Sequence, residues 1–214
     1  MKTRVAIIGS GDMAVHIAHF LKLDSEYEFI GFFDDFCDSD KTIDNKPLLG
    51  RIESVEEQYA KRVFDKLIIA VGYSRMEYRK QIYNRTKGTI ALATFIHKSC
   101  VVDPLARIEE GCVLFPGCII DRNVCLKGNV FLHNAVVISH DTTVKENCYI
   151  SPAVSLAGFV EVGESCVLGI GTVIIDNISI VDSVITGAGS VIVESIQEEG
   201  VYVGVPVRKL INDR

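Results

Sequence analysis

Residues 120–168 read IDRNVCLKGNVFLHNAVVISHDTTVKENCYISPAVSLAGFVEVGESCVL. Every sixth residue here is a large aliphatic: Ile120, Leu126, Leu132, Ile138, Val144, Ile150, Leu156, Val162 and Leu168. The series extends back through Leu114, Ile108 and Val102 to Ile96 and forward through Ile174 and Ile180 to Ile192, with one lapse at Thr186. Two residues before each member stands a second restricted set, such as Cys118, Val124, Val136, Thr142, Cys148 and Cys166. No helix repeats every six residues, and a strand alternates every two. A strict period of six describes a chain that turns a corner after each hexad and stacks coil on coil, a hexapeptide β-helix. Three hexads close one triangular coil of 18 residues, so Ile96–Gln197 supplies between five and six coils.

Stacking buries the aliphatic column along one axis, and each fully buried member contributes roughly 1.5–3 kcal/mol before entropy is subtracted. The lapse at Thr186 falls where terminal coils share less core, so a tolerant position is expected there. Five of the seven cysteines (Cys100, Cys112, Cys118, Cys148 and Cys166) occupy the small inward position, where a reduced thiol serves as a compact hydrophobe. No C-x-x-C spacing occurs, which argues against a zinc site built on thiolate pairs. His97, His133 and His140 fall among the coils, but the seven-residue step from His133 to His140 sets them about a face apart, and no metal site is expected.

Ahead of residue 90 the hexad rule fails and a different order appears. Val5–Ile8 is a short buried-type strand running into Gly9-Ser10-Gly11-Asp12, with a helical pattern from Met13 to Leu23 whose core face draws on Val15, Ile17, Ala18, Phe20 and Leu21. Phe29–Phe33 is a second strand, ending on Asp34-Asp35. A polar stretch containing Pro47 leads to a helix near Glu53–Ala60. Leu67–Val71 is a third strand, ending at Gly72 and followed by a charged helix from about Arg75 to Thr86. Strands and helices alternating at this spacing predict a small parallel, Rossmann-like α/β sheet. The expected division is an α/β domain over residues 1–92 and an all-β coil domain over 93–214.

In such sheets ligands bind at the carboxyl ends of the strands, where Gly9, Gly11, Asp12, Met13, Asp34, Asp35, Gly72 and Arg75 all fall. Open backbone N–H groups at a helix N-terminus can hold a phosphate or pyrophosphate. A tight ligand-free turn would need the same glycines. The third glycine of the dinucleotide fingerprint is missing, and some 90 residues hold half a doubly wound sheet, so a nucleotide-sugar suits the space better than NAD.

The chain has 214 residues, 48% hydrophobic and 23% charged, which excludes a disordered polymer. Its net charge of −6 resides wholly in residues 96–214, so no basic nucleic-acid footprint exists. No apolar run approaches the roughly 18–20 residues that span a bilayer. The opening MKTRVAIIGSGD is too short an apolar run for a signal peptide, and a cytoplasmic protein is expected.

Hexad coils behind a small nucleotide-binding α/β domain resemble the left-handed β-helix acyltransferases. More narrowly, the chain resembles the sialic-acid O-acetyltransferase and UDP-4-amino-sugar N-acetyltransferase group. The resemblance is carried by Gly9–Asp12, Phe33-Asp34-Asp35-Phe36, Ile69–Gly72 with Arg79, Ser139-His140-Asp141, Leu156-Ala157-Gly158, Leu168–Gly171 and the C-terminal Gly200–Arg208. It implies a left-handed coil, a homotrimer with active sites between subunits, and acetyl-CoA as co-substrate. It makes His140 the general base and Asp141 the acid that orients it, chemistry that suits an imidazole because an attacking amine must shed a proton. It points to the Gly158 N–H as oxyanion donor and to Tyr149, Gly158, Ile170 and Ala188 as acetyl-CoA contacts, while His133 either contacts the acceptor sugar or lines the subunit interface. The sequence departs from the group's pattern at Asp12-Met13, His133 and Tyr149.

The implied function is N-acetylation of a UDP-, GDP- or dTDP-linked amino sugar for surface glycan synthesis. O-acetylation of a sialic-acid-type sugar is the nearest alternative, and a catalytically silent sugar-nucleotide scaffold is the non-enzymatic one.

Overall fold

A computed structural model describes residues 2–24, 26–35, 42–43 and 46–211. The chain divides into two compact units, Met1–Phe95 and Ile96–Arg214.

The first unit contains β1 (Thr3–Ile8), α1 (Asp12–Asp24), β2 (Tyr27–Phe33), β3 (Thr42–Ile43), β4 (Lys46–Gly50), α2 (Val55–Ala60), β5 (Lys66–Ile69) and α3 (Met76–Thr86). The sheet runs β3-β4-β2-β1-β5, parallel throughout except for the short edge strand β3. Val5, Ala6, Ile7 and Ile8 are all fully buried, as a central parallel strand covered on both faces requires. On α1 the buried residues are Ala14, Ile17, Ala18 and Leu21, a spacing of three, one and three that traces one helical face. Val15 and Phe20, expected on that face, are half-buried at its margins.

One element differs outright from the sequence reading. The polar stretch around Pro47 contains strand β4, which pairs with β2 through Phe32 and Phe33. Proline fits because β4 lies next to the sheet edge. Its backbone passes so close to β2 that a Cβ on Gly31 would lie 2.5 Å from the Pro47 carbonyl oxygen.

The second unit is the predicted coil. Two-residue strands stack parallel and in register on three faces, each pairing with the strand 18 residues on: Ile120 with Ile138, Leu126 with Val144, Leu132 with Ile150. The aliphatic positions from Leu114 to Ile180 are 3% exposed or less. A C-terminal hairpin (Gly200–Gly204 and Val207–Lys209) extends the third face and packs Tyr202 and Val207 on the end of the core.

A second period of six, unseen in the hydrophobic pattern, turns the corners. Three residues after each aliphatic the backbone is left-handed, at fourteen successive corners from Gly111 to Gly189. Glycine, asparagine, serine, aspartate and alanine fill thirteen of these, residues that are small or that tolerate positive φ. From Asn129 to Gly189 the amide of each such residue bonds back to the coil below, as Asp141 N–H does to the Arg122 carbonyl at 3.1 Å and Phe159 N–H to the His140 carbonyl at 3.2 Å. The residue just before it makes no backbone ladder bond through its N–H. Pro104, Pro116 and Pro152, all the prolines within the coils, sit at that place, where a missing N–H costs nothing.

The inward cysteines prove to be more than space-fillers. Cys100, Cys112, Cys118, Cys148 and Cys166 each donate Sγ–H to a backbone carbonyl fifteen residues ahead, at 2.9–3.2 Å. Each thiol therefore satisfies the carbonyl that the corner of the next coil turns away from the strand ladder.

Thr186 overturns the expectation of a tolerant end. It is 3% exposed, and its Oγ1 accepts from Gly169 N–H at 2.9 Å while sharing a 2.8 Å bond with Thr172 Oγ1. A hydroxyl takes over the place of a backbone carbonyl, because the strand here lengthens to Val184–Thr186 and pairs below through Val167–Ile185 alone.

Candidate active site

His140 occupies a corner between the first face (Val137–Ile138) and the second (Thr143–Val144), so its side chain leaves the core and is 40% exposed. Its Nδ1 lies 2.9 Å from Asp141 Oδ2, and Asp141 Oδ1 accepts from Asn123 Nδ2 at 2.9 Å. Asp141 is the left-handed residue of that corner, which swings its carboxylate back beside the preceding ring. The bond from Asn123, and then that from His140, hold the Asp141 carboxyl below its ordinary range. An ionised carboxylate can only accept, so Nδ1 carries a proton, and in the neutral ring Nε2 then keeps its lone pair.

The ring lies on Gly158, one coil above. A Cβ there would stand 2.7 Å from His140 Cε1 and 3.0 Å from Nε2, so only glycine leaves room for the imidazole. Phe159 closes the other side, edge-on at 5.2 Å between centroids and 85° between planes. It is the one bulky residue among the left-handed corners and is 55% exposed. Phenylalanine in that conformation is an outlier that neighbouring structure must stabilise, and such residues gather at functional sites. No hydrophobic rule points to Phe159; only the corner register does.

Gly158 N–H, beside the imidazole, has no hydrogen-bond partner among the described residues. Ile170 and Ala188 are exposed on a different corner, the one after the third face, where the column reads Pro116, Asn134, Pro152, Ile170, Ala188. The two prolines have no N–H, and Asn134 N–H is taken by His133 Nδ1 at 2.9 Å. Ile170 and Ala188 therefore present the open amides of that corner.

Tyr149 is placed differently from these. It is 7% exposed, with its ring stacked on Phe131 at 5.0 Å on the third face. His133 stands edge-on to Phe115 and Phe131 in the same aromatic group, on another corner from His140. Among the described residues no three His, Cys, Asp or Glu side chains are grouped to hold a metal ion.

In the first unit a cavity of about 220 Å3 opens at the carboxyl ends of β1, β2 and β5. Gly9, Gly11, Asp34, Gly72 and Arg75 line it as the sequence reading expects, with Ser10 and Ser74 from the same stretches, joined by Ile52 and Tyr78, which that reading missed. Gly9 has φ +97° and approaches Ala70 so closely that a Cβ would meet its carbonyl oxygen at 2.7 Å. Ser10 Oγ donates to Asp34 Oδ2 at 2.6 Å. Asp35 faces the scaffold instead, accepting from Ile52 N–H at 2.9 Å and Tyr78 OH at 3.0 Å. The Asp35 bond helps push the Tyr78 phenol up, behind the larger effect of burial. Asp12 and Met13 are not among the cavity walls; Asp12 opens α1, where a carboxylate suits the positive end of the helix dipole. Arg79 is fully buried on α3 and donates to the Ile69 and Val71 carbonyls at 2.9 and 3.2 Å, fixing the chain where β5 ends at the cavity.

A proton acceptor beside an unused amide donor, at a coil corner open to solvent, is the equipment of an acyl-transfer enzyme. Comparisons with known proteins point the same way. Residues 4–86 match the family described as the PglD N-terminal domain. The acetyltransferase domain of PglB from Neisseria gonorrhoeae FA1090 is 26% identical, with a TM-score of 0.89 over 98% of this chain and all of that one. The same domain solved with acetyl coenzyme A is 25% identical, also with a TM-score of 0.89. PerB from Caulobacter crescentus, solved with CoA and GDP-perosamine, is 25% identical, with a TM-score of 0.84 over 96% of each chain. No curated protein matches the sequence significantly. Residues 4–86 thus form an N-terminal unit of the PglD type, and over nearly its whole length the chain is similar to left-handed β-helix sugar acetyltransferases.

Proposed function

We propose that the protein transfers the acetyl group of acetyl-CoA to the amine of a nucleotide-linked amino sugar. The observation that carries this reading is the His140 imidazole, held by Asp141 through Nδ1 and laid on Gly158 with Nε2 turned away from its partner. Similar proteins that bind acetyl coenzyme A, or CoA with GDP-perosamine, support the choice of both substrates.

The chemistry follows from the geometry. The neutral amine attacks the thioester carbonyl carbon as Nε2 accepts its proton. The carbonyl oxygen gains negative charge, for which Gly158 N–H is the adjacent donor. The tetrahedral centre then collapses, the C–S bond breaks, and the imidazolium returns its proton to the CoA thiolate. Asp141 stays ionised throughout and stabilises the charged ring. The cavity at Gly9, Ser10, Asp34 and Arg75 holds the nucleotide.

The reading includes a trimer. The open amides of Ile170 and Ala188 lie on later coils than the base His140 and on a different corner, with corners roughly 15–20 Å apart for a six-residue face. A neighbouring copy whose corner meets this one would complete the site. Val101, Ile119 and Val173 point outward from the first face at 64%, 46% and 41% exposure, an apolar surface that such packing would cover. No helix among the described residues is long and apolar enough to cross a membrane.

The test is thiol release from acetyl-CoA with a panel of UDP-, GDP- and dTDP-linked amino sugars and free sialic acids. One of the nucleotide amino sugars should be turned over, and His140→Ala should lower kcat by about 100- to 10,000-fold with KM little changed. Turnover of free sialic acid alone, or unimpaired turnover by His140→Ala, would sink the proposal.

A further inference from the structure

The donors at the inward small position follow a pattern that bears on the proposed acetyl-CoA site. A peptide group is planar, so holding its carbonyl oxygen fixes the direction of the N–H at its other end. Thr142 Oγ1 donates to the Ala157 carbonyl at 3.0 Å, and the N–H of that same peptide belongs to Gly158. Thr172 Oγ1 donates to the Gly169 carbonyl at 2.8 Å and lies 3.5 Å from the Gly187 carbonyl; those peptides carry the N–H groups of Ile170 and Ala188. Thr186 completes the second set. The donor chain runs from Gly169 N–H to Thr186 Oγ1, on to Thr172 Oγ1 and back to the Gly169 carbonyl, so one peptide segment is gripped at both ends.

Thr142 and Thr172 are the two threonines of this inward position, which elsewhere holds cysteine, valine, alanine, isoleucine or serine. Neutral hydroxyl hydrogen bonds are stronger than those of the weakly donating thiol. Thr142 and Thr172 thus each donate to a peptide that presents an open amide, that of Gly158 and that of Ile170, and the Ala188 peptide lies within 3.5 Å of Thr172.

We propose that Thr142, Thr172 and Thr186 are positioning residues that aim the backbone amides receiving acetyl-CoA, so that the lapse in the hexad at Thr186 belongs to the site. This rests on the acetyltransferase reading. Thr142 serves the amide used as charge develops, and Thr172 with Thr186 serves the amides that bind the pantetheine arm.

Thr172→Val and Thr142→Val test it, since valine already occupies this position at 124, 130, 136, 154 and 160. Thr172→Val should raise KM for acetyl-CoA roughly tenfold while kcat and the KM for the amino sugar stay within about twofold. Thr142→Val should lower kcat roughly tenfold with both KM values little changed. Thr172→Ser should restore the wild-type constants, and the control Cys148→Val should resemble wild type. Unchanged constants in both threonine variants, or a uniform loss shared with Cys148→Val, would overturn the proposal. Should no nucleotide amino sugar be turned over by the wild type, the function assigned above fails by itself. Calorimetric titration with CoA then decides, because equal affinity in wild type and Thr172→Val overturns the positioning role.

Discussion

At Gly158 one hydrogen atom in place of a side chain decides whether the imidazole can lie where it does. The atom a new Cβ would strike is the mobile end of His140, so Gly158→Ala should fold with an unchanged unfolding midpoint. The displaced ring should cost kcat at least tenfold, and thermal melts beside steady-state kinetics check both halves. His140 was legible from the sequence because a polar residue two places after an inward aliphatic must stand on a corner. Its relation to Gly158 was legible only through family resemblance, since the 18-residue offset says which residues stack but not how a ring tilts. Phe159 was invisible for a physical reason. Hydropathy reports which side chains seek the core, and Phe159 is defined by a backbone angle.

Elements of the first unit show where local pattern runs out. The three central strands and three helices follow from runs of apolar residues and their spacing. Strand β4 does not, because a proline and a close pass against Gly31 break the usual signals. The helix α3 looks charged, yet Arg79 is buried within it, paying its desolvation through two carbonyls at the end of β5. At the other end of the sheet, Asp65 ahead of β5 grips Arg4 of β1 through its backbone N–H, Nε and Nη2, at 2.7–3.1 Å. Those bonds hold the Asp65 carboxyl down to about 2. A carboxyl that sits lower in the folded chain than in the unfolded one adds stability above about pH 4. That stability is lost as the pH falls toward 2. The gap in unfolding midpoint between wild type and Asp65→Asn should therefore be present at pH 7 and close between about pH 4 and pH 2. Both side chains are partly exposed, so the gap should also shrink in high salt.

Over the whole molecule, the fold of residues 96–192 was the most legible part, because one periodicity recurs through every coil and each repeat confirms the last. The site was less so. The cavity at the strand ends draws Ser10, Ile52 and Tyr78 from three separate segments that no spacing rule connects. The assembly gives a prediction at this scale. Ile119 stands outward between Val101 and Val137 on the first face, so Ile119→Glu should leave the coil intact by circular dichroism yet shift sedimentation from the proposed trimer to monomer. Activity should fall with the trimer if two copies build each site, and a fully active monomer would remove the case for shared sites.

The left-handed corners carry a consequence for how such a chain can change length. Inward aliphatics, corner residues and unbonded amides all keep time to the same count of six, and the ladder beneath them to a count of eighteen. One residue inserted into a strand would throw all three out of phase for every coil that follows. Eighteen would add a floor and leave the rest undisturbed. Growth and loss in this half of the protein are therefore quantised, and a lineage can lengthen the column by whole storeys while His140 and the floor above it descend intact.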